Sequence, residues 1–141
     1  MRDSAEYVAV ASQAYRAAKM ALPAMVDDSN WSALPYQKNA AQLPPAVILD
    51  IDETTLTNPH FQAQLEPPFT DEKLNDWSIA HEATPVPGVV SYIREAEALA
   101  VSIFFVTNRP CMPDPDTGDP CPQKPVVIDD LLEAGMPATQ E

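Results

Sequence analysis

The amino-acid sequence predicts an α/β fold built on a parallel sheet, and three observations carry that expectation. Residues 46–51 (AVILDI) and 101–106 (VSIFFV) are short apolar runs, which is how strands covered on both faces of a parallel sheet read. Around them, apolar residues return at helical spacing. The resulting order of strand, excursion, helix, strand and helix is that of a chain laying down parallel strands through crossovers.

Each element follows from local chemistry. Asp3 and Glu6 form a capping box, after which Tyr7, Val8, Ala11, Ala14, Tyr15, Ala18 and Leu22 keep one helical face until Pro23 stops it. An N-terminal helix within residues 1–26 is therefore expected. Residues 27–45 carry turn formers without a sustained period and read as a connection, with Trp31 and Leu34 tacked onto the core. The first core strand, entered through Pro44 and Pro45 and ended by acids, lies within residues 46–54. Residues 55–84 have mixed polarity, several prolines, Phe69 and Trp77, and read as an inserted lid. From Pro87, the residues Val89, Val90, Ile93, Ala96, Leu99 and Ala100 share the face of a second helix, with proline where a first turn tolerates it. The second core strand falls within 101–109, a Pro/Cys loop spans 110–125, and a third helix over 128–134 is closed by Gly135.

At 141 residues, 45% of them apolar, the chain has the size and composition of one globular domain. Sixteen prolines against three glycines imply stiff connections. A net charge of −13 excludes nucleic acid and an anionic membrane as the main partner, and a phosphate substrate would need a cation beside it. No run approaches a membrane span and no signal-peptide core is visible. Cys111 and Cys121, without further cysteine or a neighbouring histidine, make a poor zinc site. A local disulfide is the better reading, and it places the protein in an oxidising compartment, periplasmic or secreted.

The chemistry concentrates in VILDIDETTLTN, residues 47–58. A strand delivers Asp50 and Asp52 to its carboxyl end, where open α/β sheets hold ligands, and alternation starts both on one face. Two carboxylates so placed repel, raising one pKa unless a cation intervenes. With Mg2+ between them, Asp50 stays ionised and can attack phosphorus, while Asp52 passes a proton to the leaving oxygen and later takes one from water. The plain alternative is a strand ending in a solvated acidic turn, against which Thr54 and the preceding apolar run weigh.

D-x-D-x-T after a hydrophobic strand resembles the first signature of phosphatases of the haloacid dehalogenase (HAD) superfamily. DIDETTLTN resembles more narrowly their subfamily IIIB acid phosphatases with four essential aspartates, a class that includes bacterial periplasmic or lipid-anchored enzymes and plant storage-protein relatives. FFVTNR, residues 104–109, is similar to the second signature. The resemblance implies a Rossmann-like sheet of the HAD type with a small lid after the first strand. It also implies a phosphomonoester hydrolase working through an aspartyl-phosphate with Mg2+ at Asp50 and Asp52, on a small nucleotide or aryl phosphate. By it, Thr107 donates to a phosphate oxygen, Thr54 belongs to the phosphate site, and Asn108 and Arg109 line the phosphate or leaving-group side. A surface ion pair is the other reading of Arg109. Trp77, Ala83 and Pro87-Gly88 resemble the stretch leading to the second signature. Phe61 and Trp77 would wall the leaving group, or simply pack within the lid. His60 and His81 read as surface or lid residues, His60 being the better placed for substrate.

The resemblance covers roughly residues 27–137, without the lysine of the third signature or the acidic fourth signature, G-D-x-x-x-D. Lys124 does not stand in for that lysine. The expectation is an incomplete domain over residues 1–141, with weak metal binding, low activity and self-association through an unpaired sheet edge. Two further readings stand beside the enzyme: a non-catalytic phosphate-binding or storage-type relative on the same fold, and a calcium module using Asp50, Asp52 and Glu53.

Overall fold

The computed structural model describes residues 4–58, 61, 63, 66–80 and 83–137. In chain order the elements are α1 (Ala5–Asp27), a 3-10 turn (Ala40–Gln42), β1 (Ala46–Asp50), β2 (Leu56–Thr57), α2 (Asp71–Ile79), β3 (Thr84–Pro85), α3 (Val89–Ala98), β4 (Ser102–Val106) and α4 (Gln123–Glu133). β1 and β4 pair as a parallel two-stranded sheet, the α/β arrangement the sequence implies. Parallel strands need a long crossover, and here it contains α2 and α3. The excursion expected over 55–84 begins and ends on an antiparallel ribbon, with Leu56 opposite Pro85 and Thr57 opposite Thr84.

The chain divides into two compact units, Met1–Leu49 with Pro87–Phe105, and Asp50–Val86 with Val106–Glu141. In the first, α1 is capped by Ser4, whose hydroxyl accepts from the Tyr7 N–H at 3.1 Å. The cap therefore sits at Ser4, one residue after the position the expected capping box gives it, and Asp3 lies outside the described residues. Pro23 does not stop α1, which runs on to Asp27. A proline there forfeits one backbone hydrogen bond, but Leu22, Met25 and Val26 keep the apolar face in register, and packing decides.

α3 buries Val89, Tyr92, Ile93 and Ala96, spaced i, i+3, i+4 and i+7, and packs against α1. Tyr15 and Tyr92 meet at 5.8 Å between ring centroids, and burial raises the Tyr92 phenol pKa above its ordinary value. Lys19 adds an ion pair to Glu95 at 3.1 Å and a hydrogen bond to Ser91. Gly88, at φ +98, enters α3 where a Cβ would meet the Tyr15 Cβ at 2.9 Å. Ala100, at φ +57, ends α3 in the left-handed position that glycine usually fills, and Val101 N–H closes the turn on Ala96 O.

The strands depart from expectation on burial. Leu49 is buried and Val47 half-buried, but Ile48 is 72% exposed and Phe104 and Val106 are each 56% exposed. β1 and β4 are covered on one face rather than two, and the period-two alternation of the strand converts that into alternating exposure. Trp31 and Leu34, expected against the core, are also exposed. Their segment holds itself with local turns, such as Ser32 accepting from Leu34 N–H, and these need no apolar contact.

In the second unit, α2 is capped by Thr70, and α4 packs against it through a face that includes Val127, Ile128 and Leu131. α4 begins at Gln123, five residues ahead of the expected start at 128, because Pro125 sits in the first turn, where a missing N–H costs nothing. Gly135 closes it as expected, at φ +78, with Gly135 N–H on Leu132 O and Met136 N–H on Leu131 O.

Cys111 and Cys121 are bonded, as the spacing suggested. The loop they close is held further by Asp114, whose carboxylate accepts from the Thr117 hydroxyl and the Asp116 N–H, both at 2.8 Å. Those bonds, the Thr117 hydroxyl first, keep the Asp114 carboxyl below its ordinary pKa. Replacing both cysteines with serine is expected to lower stability by about 2–3 kcal/mol, the chain-entropy value for so short a loop. Urea unfolding of the two proteins measures it, and two freely alkylated thiols in oxidised protein would remove the premise.

Candidate active site

The turn after β1 is built from its own side chains. Ile51 O accepts from the N–H groups of Thr54, Thr55 and Leu56, and the Thr55 hydroxyl donates to Asp50 O at 2.7 Å. Glu53 sits at φ +56, its N–H bound to Leu56 O at 2.7 Å. A left-handed, non-glycine residue is strained by roughly 1–3 kcal/mol and persists where its surroundings over-determine it. Here its carboxylate accepts from Asn58 N–H at 2.7 Å and the Thr57 hydroxyl at 3.1 Å. A calcium ion using Glu53 would have to share each of its oxygens with the turn that it holds. Among the described residues no group of three His, Cys, Asp or Glu side chains is placed to hold a metal.

Asp50 is exposed at the last position of β1. Asp52 is engaged: Oδ1 accepts from Asn58 Nδ2 at 3.1 Å and Arg109 Nη2 at 2.8 Å, and Oδ2 accepts from Arg109 Nε at 2.9 Å. Two parallel N–H bonds to one carboxylate are the strong, orientation-specific form of an ion pair. This pair is not on the open surface, since the Arg109 side chain is only 4% exposed while that of Asp52 is 30% exposed. The guanidinium carbon also lies 5.4 Å from the Trp77 ring centroid, and Nη1 donates to Ser78 Oγ at 3.3 Å. Ser78 is set for this by donating its own proton to Leu74 O, one turn earlier in α2.

Trp77 and Phe61 are both buried, their ring centroids 5.3 Å apart, and Phe69 meets Phe61 edge-on at 6.4 Å. Thr107 Oγ1 accepts from Arg109 N–H at 3.1 Å, so the threonine and the arginine are tied by backbone as well as sequence. Asn108 between them is exposed. Thr54 is half-buried in the turn after Asp52. Gln123 at the head of α4 pairs with Met112 in both directions and donates to Asn75 Oδ1 at 2.7 Å, tying the cysteine loop to α2.

Of the residues singled out from sequence, the structure gathers Asp52, Arg109, Trp77 and Phe61 into one chain of contacts, with Thr107 tied to Arg109. Asp50 and Asn108 are exposed, and His60 and His81 lie outside the described residues. Asn58, Ser78 and Gln123 were not assigned from sequence. Asn58 had a signal, because it ends the very stretch that holds both aspartates. Ser78 and Gln123 had none beyond their neighbours.

A family model described as HAD superfamily, subfamily IIIB (Acid phosphatase), matches residues 1–117. Among solved structures the chain is similar to the Class C acid phosphatase from Bacillus anthracis, at 25% sequence identity and a TM-score of 0.70, over 97% of this chain and 50% of that one. The same enzyme with tungstate bound gives a TM-score of 0.72, with the same identity and coverage. The chain thus spans about half the length of these solved relatives.

Proposed function

Because the chain belongs to the acid phosphatases of HAD subfamily IIIB, we propose that it contributes the nucleophile and the acid/base of a phosphomonoester hydrolase. The observation that carries this is the first-strand terminus: Asp50 exposed at the end of β1, and Asp52 two residues on, oriented by Asn58 and Arg109. Binding of tungstate, a tetrahedral oxyanion like phosphate, by the Bacillus anthracis enzyme supports the same reading.

In the proposed reaction an Asp50 oxygen attacks phosphorus in line, the bond to the leaving oxygen breaks, and that oxygen takes up a proton through Asp52, which first gains it from solvent because both its oxygens accept hydrogen bonds in the resting site. Asp52 then accepts a proton from water, which attacks the aspartyl-phosphate, releases inorganic phosphate and restores Asp50. Thr107, its oxygen already accepting from Arg109 N–H, has its own proton for a phosphate oxygen. Arg109 and Asn108 serve the phosphate or leaving-group side, Thr54 the phosphate site. The Phe61–Trp77 stack backs a nucleotide or aryl leaving group.

With both Asp52 side-chain oxygens engaged, the Asp50 carboxylate and the Asp52 backbone carbonyl are the groups that would hold Mg2+. They are hard oxygen donors of the kind that ion takes, alongside several waters. When bound it offsets negative charge on the phosphoryl oxygens, which a chain of net charge −13 would otherwise repel. The disulfide supports an exported protein, periplasmic or secreted. No helix among the described residues is long and apolar enough to cross a membrane.

The test is trapping. Asp52→Asn protein, as its gene encodes it, is mixed with an aryl phosphate and Mg2+, quenched in acid and digested. A phosphoryl adduct on the peptide containing Asp50 is expected, accumulating because water is no longer activated. Turnover in the wild type with no adduct in either protein would overturn the mechanism.

A further inference from the structure

We propose that Arg109 is a latch on Asp52: the guanidinium closes on the carboxylate in the resting site, and a phosphate group opens the site by taking the guanidinium for itself. The inference rests on the phosphomonoesterase reading above and adds a gating step to that site.

The first argument is the occupancy of Asp52. An ionised carboxylate offers about four in-plane acceptor positions. Asn58 and Arg109 fill two on Oδ1, and Arg109 fills a third on Oδ2. The position left is on Oδ2, beside the guanidinium, and release of the Arg109 bonds would open two more to a leaving oxygen and then to a water.

The second argument is which bond breaks. Asn58 is buried, and its backbone N–H is held by Glu53 at 2.7 Å, so it is anchored at both ends and fixes Asp52 in place. Arg109 is held differently. Trp77 supports the guanidinium by its ring face, a contact without strong directional demand, so the group can shift across the indole without losing the attraction. The bond from Nη1 to Ser78 is long at 3.3 Å. Arg109 is therefore the partner that can let go while Asn58 keeps the carboxylate oriented.

The third argument is the competitor. A phosphate presents paired oxygens to a guanidinium in the same two-bond geometry as a carboxylate, with more charge. The backbone bond from Arg109 N–H to Thr107 Oγ1 ties the latch to the hydroxyl assigned to the phosphate. Phosphate arriving at Thr107 would thus lie next to the Arg109 backbone, and the guanidinium would have to turn from Asp52 to reach it. The site would uncover its acid/base only when a phosphate is present to take the arginine.

A double-mutant cycle on the full chain tests this, with inorganic phosphate as the probe and calorimetry as the readout, in wild type, Asp52→Asn, Arg109→Gln and the double variant. If the latch holds, Asp52→Asn frees the arginine and tightens phosphate binding by about tenfold, as expected when the competent state is a minor one. That gain disappears in the Arg109→Gln background. An equal gain in both backgrounds would reflect charge repulsion alone and would overturn the latch while leaving the phosphate site standing. Absence of phosphate binding in all four proteins would overturn the phosphomonoesterase reading and the latch with it. Should a variant fail to fold, the wild type decides: the Arg109 Nε–Hε resonance in a 15N spectrum should shift as phosphate saturates, and a resonance that stays put at saturation would overturn the proposal.

Discussion

Asp50→Asn is expected to lower Mg2+-dependent hydrolysis of p-nitrophenyl phosphate by more than about 10³-fold, the scale on which losing a catalytic nucleophile acts. On the proposed mechanism the amide would remove both the attacking charge and the anionic group offered to the metal. The side chain is exposed, and the brace on this residue runs from the Thr55 hydroxyl to its backbone carbonyl. The substitution should therefore leave the melting temperature nearly unchanged, which separates loss of chemistry from loss of fold. The assay belongs on the protein as its gene encodes it. Undiminished turnover in the variant would end the case for Asp50 as nucleophile.

Gly88→Ala is expected to have the largest effect on stability, a loss of about 2–5 kcal/mol. Two penalties add. A side chain at φ +98 is strained by roughly 1–2 kcal/mol, and the new Cβ would lie 2.9 Å from the Tyr15 Cβ, an overpacking that costs about 1–3 kcal/mol. The Tyr15 contact is at the Cβ and therefore close to the α1 backbone, so rotating the ring does not relieve it. Denaturant unfolding followed by circular dichroism would show the midpoint fall with an unchanged slope. Gly118→Ala makes a useful control, because that glycine also has positive φ, at +74, but nothing within 4 Å of a new Cβ. It should lose only the conformational part.

What could be read from the sequence was whatever depends on neighbours along the chain. The apolar run before Asp50, the spacing of Val89, Ile93 and Ala96, and the Gly135 stop are local patterns, and they placed the strands and helices. The cysteine bridge also joins near neighbours, 10 residues apart. The family was legible for a related reason: its signatures are contiguous stretches at strand ends, and residues 1–117 match its model.

Tertiary structure decided the rest. Whether Pro23 breaks α1 depended on what Leu22, Met25 and Val26 pack against, since one lost hydrogen bond is smaller than a buried face. Whether β1 and β4 are covered once or twice is set by elements elsewhere, so two apolar runs alike in composition gave no sign that Ile48, Phe104 and Val106 would be exposed. The bond from Arg109 to Asp52 joins residues 57 apart. Sequence could name both as candidates, but it could not show that they hold each other, with Trp77 against the guanidinium and Asn58 keeping the carboxylate in place. An aspartate and an arginine at two strand ends are each compatible with solvent, metal or phosphate. Only the folded chain brings them within hydrogen-bond reach and removes enough water to make each the other's main partner.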